Sequence, residues 1–151
     1  MRTLVVGGTG PTGVHIVNFL IQAGHEVSVF NSGKHDSGVE FADKVERIYG
    51  NPRDEESVRQ SIGAQEWDVA ICTYGKLTML ANELAGKTKR LVGITGQPVY
   101  KGAARPTPDG GLPLPVPEFA PRQYDAANYT GRVAIGEDQL FAQHGNGDFE
   151  A

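Results

Sequence analysis

The feature that most constrains the fold is a glycine-rich turn, residues 7–13, between a short apolar run and an amphipathic segment. Its sequence is GGTGPTG, and the run at residues 3–7 before it is typical of a buried strand. Residues 11–22 follow with apolar side chains at helical spacing, proline near the first turn and Gly24 just past the end. A strand, a tight turn and a helix in direct succession predict the start of a βαβ unit.

Three glycines of this turn, Gly7, Gly10 and Gly13, recur at every third position, and each has its own physical reason. Gly7 allows a sharp turn off the strand, Gly10 allows the backbone to approach a pyrophosphate, and Gly13 allows the helix to pack close to the strand. The first residues of the helix then offer free N–H groups and a positive dipole end to phosphates. The predicted cofactor-binding residues here are Gly7, Gly10, Pro11, Thr12 and Gly13. A tight turn without a ligand is the alternative.

Five short apolar runs, most of them rich in β-branched residues, are predicted strands: residues 3–7, 26–30, 45–49, 68–73 and 90–95. Helices are predicted over residues 11–22, 54–62, 77–84 and 129–144. Several strand runs are nearly continuous rather than alternating, which favours a parallel sheet covered on both faces. The sequence therefore predicts an α/β fold with a doubly wound parallel sheet, Rossmann-like, in one domain over residues 1–151.

A full dinucleotide-binding fold usually has six strands. Residues 148–151 follow two glycines after the last predicted helix and have the pattern of an entry to a further strand. We therefore expect the sequence to stop before the sixth strand, as a fragment of a longer protein that lacks the C-terminal substrate-binding part.

Residues 98–121 differ in composition from the rest of the chain, because seven of the nine prolines fall there. Proline at this density excludes a central strand or a helix interior. The sequence predicts a long loop within the domain, of the kind that is usually functional or mobile. A disordered linker is the alternative.

Charge and cysteine content exclude several classes of protein. The 14 basic and 18 acidic residues give a net charge of −4, which argues against a nucleic-acid or anionic-membrane surface. No apolar run is long enough for a membrane span, and the N-terminal run is too short for a secretory signal. One cysteine, Cys72, excludes an internal disulfide and a cysteine-rich zinc site, and we expect it to be a buried core residue. The expected compartment is the cytoplasm, and no metal site is predicted.

The end of the second predicted strand indicates which dinucleotide the turn would bind. An NAD-specific site usually has an acid there for the ribose 2′-hydroxyl. This chain has Asn31 instead, followed by Lys34. Lysine binds phosphate as a point charge, so the pair favours NADP, with NAD as the alternative. Lys34 as an ordinary solvated charge is the other interpretation.

The pattern G-x-x-G-x-x-G near the N-terminus resembles that of the extended short-chain dehydrogenase/reductase family, the NAD-dependent epimerase/dehydratase group. The resemblance runs over essentially the whole chain and includes residues 50–54, 67–73, 91–95 and 129–140. Residues 30–34 and 67–69 resemble the branch that contains chloroplast stem-loop-binding proteins. The resemblance implies that Asn51 contacts adenine and that Thr73 and Tyr74 line the cofactor ribose and pyrophosphate.

The resemblance also implies a catalytic set, of which two members are missing. The family uses Tyr-x-x-x-Lys with an upstream Ser or Thr: the tyrosine passes a proton, the lysine lowers its pKa, and the hydroxyl polarises the substrate carbonyl. Tyr129 is the positional match, but Val133 occupies the lysine position. Gly96 occupies the serine position, beside Thr95. The candidate catalytic residues are Tyr129 and Thr95.

Three functions fit these residues. The first is an NAD(P)-dependent enzyme of the reductase, epimerase or dehydratase type, acting on a small organic substrate with degenerate Tyr-x-x-x-Lys chemistry. The second is a non-catalytic NADP-binding sensor or regulatory module. The third is an RNA-associated protein, against which the net charge of −4 argues. Many relatives pair as homodimers, so the resemblance also makes a homodimer an expected assembly.

Overall fold

A computed structural model describes residues 1–34, 38, 40–41, 45–73, 75–96, 99–101 and 116–151. Within these residues, strands and helices follow one another in the order that the sequence predicts. The elements, in chain order, are β1 (Arg2–Val6), α1 (Gly13–Gln22), β2 (Glu26–Asn31), β3 (Val45–Tyr49), α2 (Glu55–Ile62), β4 (Trp67–Cys72), α3 (Leu77–Leu84), β5 (Thr88–Gly93) and α4 (Tyr129–Asn146).

The five strands form one parallel sheet in the order β3-β2-β1-β4-β5. β1 is central: its last residue, Val6, pairs with Phe30 of β2 on one side and Cys72 of β4 on the other. The chain builds outward from β1 in both directions, so the strand order reverses at the carboxyl edge between β1 and β4. That crevice is where open α/β sheets bind ligands. The sheet confirms the predicted doubly wound, Rossmann-like fold.

Helices cover the sheet on both faces. α1 packs on one face, where a small core forms around Val5, Val17 and Val29. α2, α3 and α4 pack on the other face and share a larger core. Its largest fully buried members include Leu4, Phe30, Ile62, Leu80, Leu84 and Leu91. This second layer brings the amino ends of α3 and α4 to the same edge of the sheet as the turn after β1.

Most predicted elements are confirmed, and the boundary differences have local causes. β1 ends before Gly7, because that residue has a positive φ of 84° and leaves the strand. β5 begins at Thr88 rather than at 90, because Thr88 pairs with Trp67. It ends at Gly93 rather than at 95, because Gly93 pairs with Cys72, the last residue of β4.

A sixth strand position begins beside β5. Glu150 forms a parallel bridge with Arg90. Its N–H donates to the Lys89 carbonyl at 2.8 Å, and its carbonyl accepts from the Leu91 N–H at 2.7 Å. Phe149 is buried in the larger core. The strand entry expected from residues 148–151 is therefore present as an isolated bridge.

Only the two ends of the predicted loop at residues 98–121 lie within the described residues. They are adjacent: the Lys101 N–H donates to the Pro121 carbonyl at 2.7 Å, and the Gln123 N–H donates to the Val99 carbonyl at 2.8 Å. Residues 102–115 lie outside the described part of the chain. No helix in the described part is both long enough and apolar enough to cross a membrane.

Candidate functional site

The glycine turn, residues 7–13, carries the backbone from β1 into α1 at the carboxyl edge of the sheet. The Gly7 N–H donates to the Phe30 carbonyl at 2.9 Å, which ties the turn to β2. The Gly10 N–H donates to the Gly7 carbonyl at 3.1 Å, and the Val14 N–H donates to the Gly10 carbonyl at 3.0 Å. Gly7 has a positive φ, a left-handed conformation that suits the sharp turn off the strand predicted for it.

The three spaced glycines differ in what surrounds them. A Cβ on Gly13 would lie 2.4 Å from the Gly7 carbonyl oxygen and 2.8 Å from the Gly8 Cα, so α1 packs directly on the turn. A Cβ on Gly10 would meet only the Gly7 carbonyl oxygen, at an ordinary 3.5 Å. The protein itself therefore has room for a side chain at position 10, and the absence of one leaves open space for a ligand.

Gly8 is a constrained position that the sequence argument missed. A Cβ there would lie 2.9 Å from Val29 Cγ1 and 3.0 Å from Val17 Cγ2. The sequence carried one signal for this constraint: Gly8 directly follows Gly7 and falls outside the period of three. Gly8 lets the turn lie against both β2 and α1.

The amino end of α1 is open to an anion. Thr12 makes no side-chain capping hydrogen bond, and the first turn carries no acidic residue. α2 is the opposite case: Asp54 accepts from the Ser57 N–H at 2.8 Å, and two glutamates follow in its first turn. α1 therefore presents a positive dipole end without a side-chain cap or an acid, which favours a phosphate, and α2 does not.

Asn31 lies at the end of β2, beside the glycine turn, and is 5% exposed. Its Oδ1 accepts from the Gly33 N–H at 2.8 Å, while its Nδ2 has no hydrogen-bond partner among the described residues. The exposed Lys34 forms no ion pair within the described part of the chain. A buried amide donor without an acceptor and a solvated cation three residues later fit a group rich in oxygen acceptors.

Asn51 lies in the turn after β3 and is exposed. Its Oδ1 accepts from the Arg53 N–H at 3.1 Å, and its own N–H donates to Ser57 Oγ at 2.8 Å. The Asn-Pro turn and the role implied for Asn51 are compatible, because an amide oxygen has a second lone pair. Nearby, the exposed ring of Tyr49 lies 3.2 Å from where a Gly33 Cβ would stand, a contact that the sequence did not indicate.

Thr73 links β4 to the glycine turn. Its hydroxyl donates to the carbonyl of Val6 at 2.9 Å and to the carbonyl of Gly7 at 3.2 Å. The side chain implied to line the cofactor thus fixes the turn that would hold it. Tyr74, the other residue implied at this position, lies outside the described residues.

A cleft of about 930 Å³ opens at the carboxyl ends of β4 and β5, between the amino ends of α2, α3 and α4. It brings together both candidate catalytic residues, Thr95 and Tyr129, with Thr73. Val133 also lines it, which places the substituted lysine position in the same cleft. The charged residues in its lining are Arg53, Asp54, Glu55, Lys76 and Arg132.

Tyr129 begins α4 and presents an exposed side chain to this cleft. The neighbouring Arg132 is held elsewhere: its guanidinium donates to the carbonyls of Ala126 and Ala127 at 3.2 and 3.0 Å. Arg132 therefore does not take the place of the family's lysine. Gly131 fixes the start of the helix, because a Cβ there would lie 2.0 Å from the Asp125 carbonyl oxygen.

Thr95 belongs to a polar network that the sequence did not reveal. Its hydroxyl donates to the carboxylate of Glu137, which also pairs with Arg122. Arg122 further pairs with Asp138 at 3.1 Å. A hydrogen bond to Asp138 raises the pKa of Tyr124, and the Arg122 guanidinium lies over the Tyr124 ring. The one available signal was the spacing of Glu137, two helical turns after Tyr129.

Cys72 is buried at the end of β4, where it also borders the cleft. Burial raises the pKa of its thiol to about 12, which keeps the sulfur protonated and unreactive at neutral pH. This confirms its predicted place in the core. The described residues contain no group of three or more side chains suited to hold a metal ion.

Comparison with known proteins identifies the family of this chain. A sequence profile of the NAD dependent epimerase/dehydratase family matches residues 3–86, more than half of the chain. The chain is 29% identical over 86 residues to chloroplast stem-loop binding protein of 41 kDa b of Arabidopsis thaliana, covering 50% of this chain and 23% of that protein. It is 36% identical over 66 residues to sterol demethylase protein B of Methylococcus capsulatus, covering 44% and 20%.

Solved structures show the same fold at low identity. The UDP-glucose 4-epimerase of Thermotoga maritima, solved with UDP-glucose, superposes with a TM-score of 0.78 at 16% identity, over 99% of this chain and 53% of that one. The enzyme WbmG of Bordetella bronchiseptica, solved with NAD and UDP, superposes with a TM-score of 0.72 at 17% identity, over 93% and 49%. The chain thus spans about half the length of these structures and about a fifth of the curated proteins it matches.

Proposed function

Because the chain belongs to the NAD dependent epimerase/dehydratase family, we propose that it binds NADP(H) across the glycine turn, with NAD(H) as the weaker alternative. The observation that carries the proposal is the amino end of α1. α1 begins at the topological switch point without a side-chain cap or an acid, beside a glycine whose missing Cβ leaves open space. Similar structures solved with NAD support the same class of ligand.

Residues of this chain would hold such a dinucleotide from both ends. The positive dipole end of α1 and the bare backbone at Gly10 would meet the pyrophosphate. The Nδ2 donor of Asn31 and the cation of Lys34 would meet the ribose and its 2′-phosphate. Asn51 would offer the second lone pair of its Oδ1 to the adenine amino group.

The cleft at the ends of β4 and β5 is the proposed place for a small organic substrate. The dinucleotide supplies hydride transfer when it is bound. Tyr129 would hold or pass the substrate proton, since its hydroxyl makes no hydrogen bond to the described residues and its side chain faces the cleft. Val133 in the lysine position removes the cation that would assist it, so we expect slow chemistry.

Lys34→Ala is expected to raise the Kd for NADPH about tenfold and to leave the Kd for NADH unchanged, because the lysine meets only the 2′-phosphate. Calorimetric titration with both nucleotides measures the two constants. Lys89→Ala is the matched control: it removes the same charge at the opposite edge of the sheet, where Lys89 pairs with Asp68. An equal loss for NADPH and NADH, or an equal effect of Lys89→Ala, would contradict the assignment of Lys34.

Tyr129→Phe is expected to lower turnover at least about tenfold while dinucleotide binding stays unchanged, because only the proton-carrying hydroxyl is lost. The assay follows nucleotide oxidation and reduction over a panel of small ketones and their alcohols. Unchanged turnover in Tyr129→Phe would remove this residue from the mechanism.

A further inference from the structure

Two hydroxyl side chains follow neighbouring strands and line the cleft: Thr73 after β4 and Thr95 after β5. A hydroxyl has one proton to donate and two lone pairs that accept. What the proton already binds therefore decides which hydrogen bond is left for a ligand. The geometry answers this for both side chains.

The Thr95 proton is committed to the protein. The hydroxyl donates to Oε1 of Glu137, and Oε2 of the same carboxylate pairs with Arg122. A carboxylate paired with a guanidinium accepts hydrogen bonds and donates none, so the direction of the Thr95–Glu137 bond is fixed. The side chains of Glu137 and Arg122 are 19% and 25% exposed, so their ion pair is largely shielded from water, while Thr95 itself is exposed. Thr95 lines the cleft, and Glu137 is outside its lining.

The Thr73 proton is committed in the same way. It is shared between the carbonyl oxygens of Val6 and Gly7, at 2.9 and 3.2 Å. A carbonyl oxygen also accepts only. The hydroxyls of Thr73 and Thr95 therefore have only the lone pairs of their oxygen atoms left to offer to a ligand.

We propose that Thr95, held by Glu137 and with Thr73 beside it, makes this wall of the cleft a hydrogen-bond acceptor that selects an alcohol over the corresponding ketone. An alcohol donates its proton to Thr95 Oγ1. A ketone has only acceptor atoms, so it leaves those lone pairs without a donor and displaces water that supplied one. Glu137 is a positioning residue, since it acts through Thr95. The inference deepens the proposed function, because it rests on substrate occupying this cleft.

Cyclohexanol and cyclohexanone are suitable probes, because they share one ring and differ at the oxygen. NMR titration of the chain measures both affinities through the backbone amides at residues 93–96 and 129–133. The expected Kd for cyclohexanol is about fivefold lower than that for cyclohexanone. Thr95→Val, which is nearly isosteric, is expected to abolish the preference. Thr95→Ser, which keeps the hydroxyl, is expected to retain it.

The role of Glu137 is tested with a matched pair of variants. Glu137→Gln puts an amide that can donate beside Thr95, which frees the threonine proton, and is expected to abolish or reverse the preference. Asp138→Asn is the control: it removes one negative charge from the other partner of Arg122 and leaves the Thr95 contact in place. It is expected to keep the fivefold preference. A general loss of structure would affect both variants and both probes alike.

Equal affinity for the two probes, no binding of either, or a preference that survives Thr95→Val would overturn the inference. A preference lost equally in Glu137→Gln and Asp138→Asn would overturn the role of Glu137. Titration of the same samples with NADPH separates these results from a failure of the proposed function. Retained dinucleotide binding without an alcohol preference rejects the inference alone, and absent dinucleotide binding rejects the proposed function.

Discussion

Gly13→Ala is expected to lower the free energy of unfolding by about 2–3 kcal/mol, the upper part of the usual range of about 1–3 kcal/mol for forcing a methyl group into a packed site. The new Cβ would lie 2.4 Å from the Gly7 carbonyl oxygen and 2.8 Å from the Gly8 Cα. Both are backbone atoms, so no side chain can rotate away, and α1 must move off the turn. Urea denaturation measures the loss. Dinucleotide binding is expected to fall with it, because the turn and α1 separate.

Gly145→Ala is the control for this prediction. It places the same methyl group in α4, where a Cβ would meet nothing within 4 Å. Alanine has the higher helix propensity, so we expect this variant to gain up to about 1 kcal/mol. A Gly13→Ala protein as stable as the unsubstituted chain would show that α1 does not pack on the turn as the structure has it.

Gly10→Ala is expected to separate binding from folding. A Cβ at position 10 would meet only the Gly7 carbonyl oxygen, at 3.5 Å, so the free energy of unfolding should stay within about 0.5 kcal/mol of the original value. The same methyl group would occupy the space of close approach to a pyrophosphate. We expect the Kd for NADPH and for NADH to rise at least about a hundredfold, equivalent to about 2.7 kcal/mol.

The two glycine variants therefore differ in kind. Gly13→Ala damages the fold and binding together, while Gly10→Ala damages binding alone. Calorimetric titration beside urea denaturation distinguishes them on the same samples. Unchanged nucleotide affinity in Gly10→Ala would mean that the turn does not receive the pyrophosphate.

The sequence predicts the fold well because its signals are local. β3 and α3 have the predicted bounds, since an apolar strand run and an amphipathic helix each show their pattern within a few residues. β5 was placed two residues too late at both ends. Its first residues are polar, and an edge strand carries exposed charges such as Lys89 without losing its pairing.

The site is only partly predictable, because its decisive contacts join distant parts of the chain. The resemblance to the family predicts that Tyr129 lacks its lysine partner and that Thr95 stands beside the serine position. It does not show that the Thr95 proton is taken by Glu137, 42 residues later. The constraint on Gly8 likewise depends on side chains from two other elements, Val17 and Val29. Such contacts appear only when the elements pack.

The most direct test of the central claim is calorimetric titration of this chain with NADPH, with NADH in parallel. We expect NADPH and NADH to bind at one site per chain, and NADPH to bind about tenfold more tightly because of Lys34. Tighter binding of NADH would keep the site and reject the charge argument at Asn31 and Lys34. Absence of binding by either nucleotide would contradict the claim that the glycine turn of this chain is a dinucleotide site.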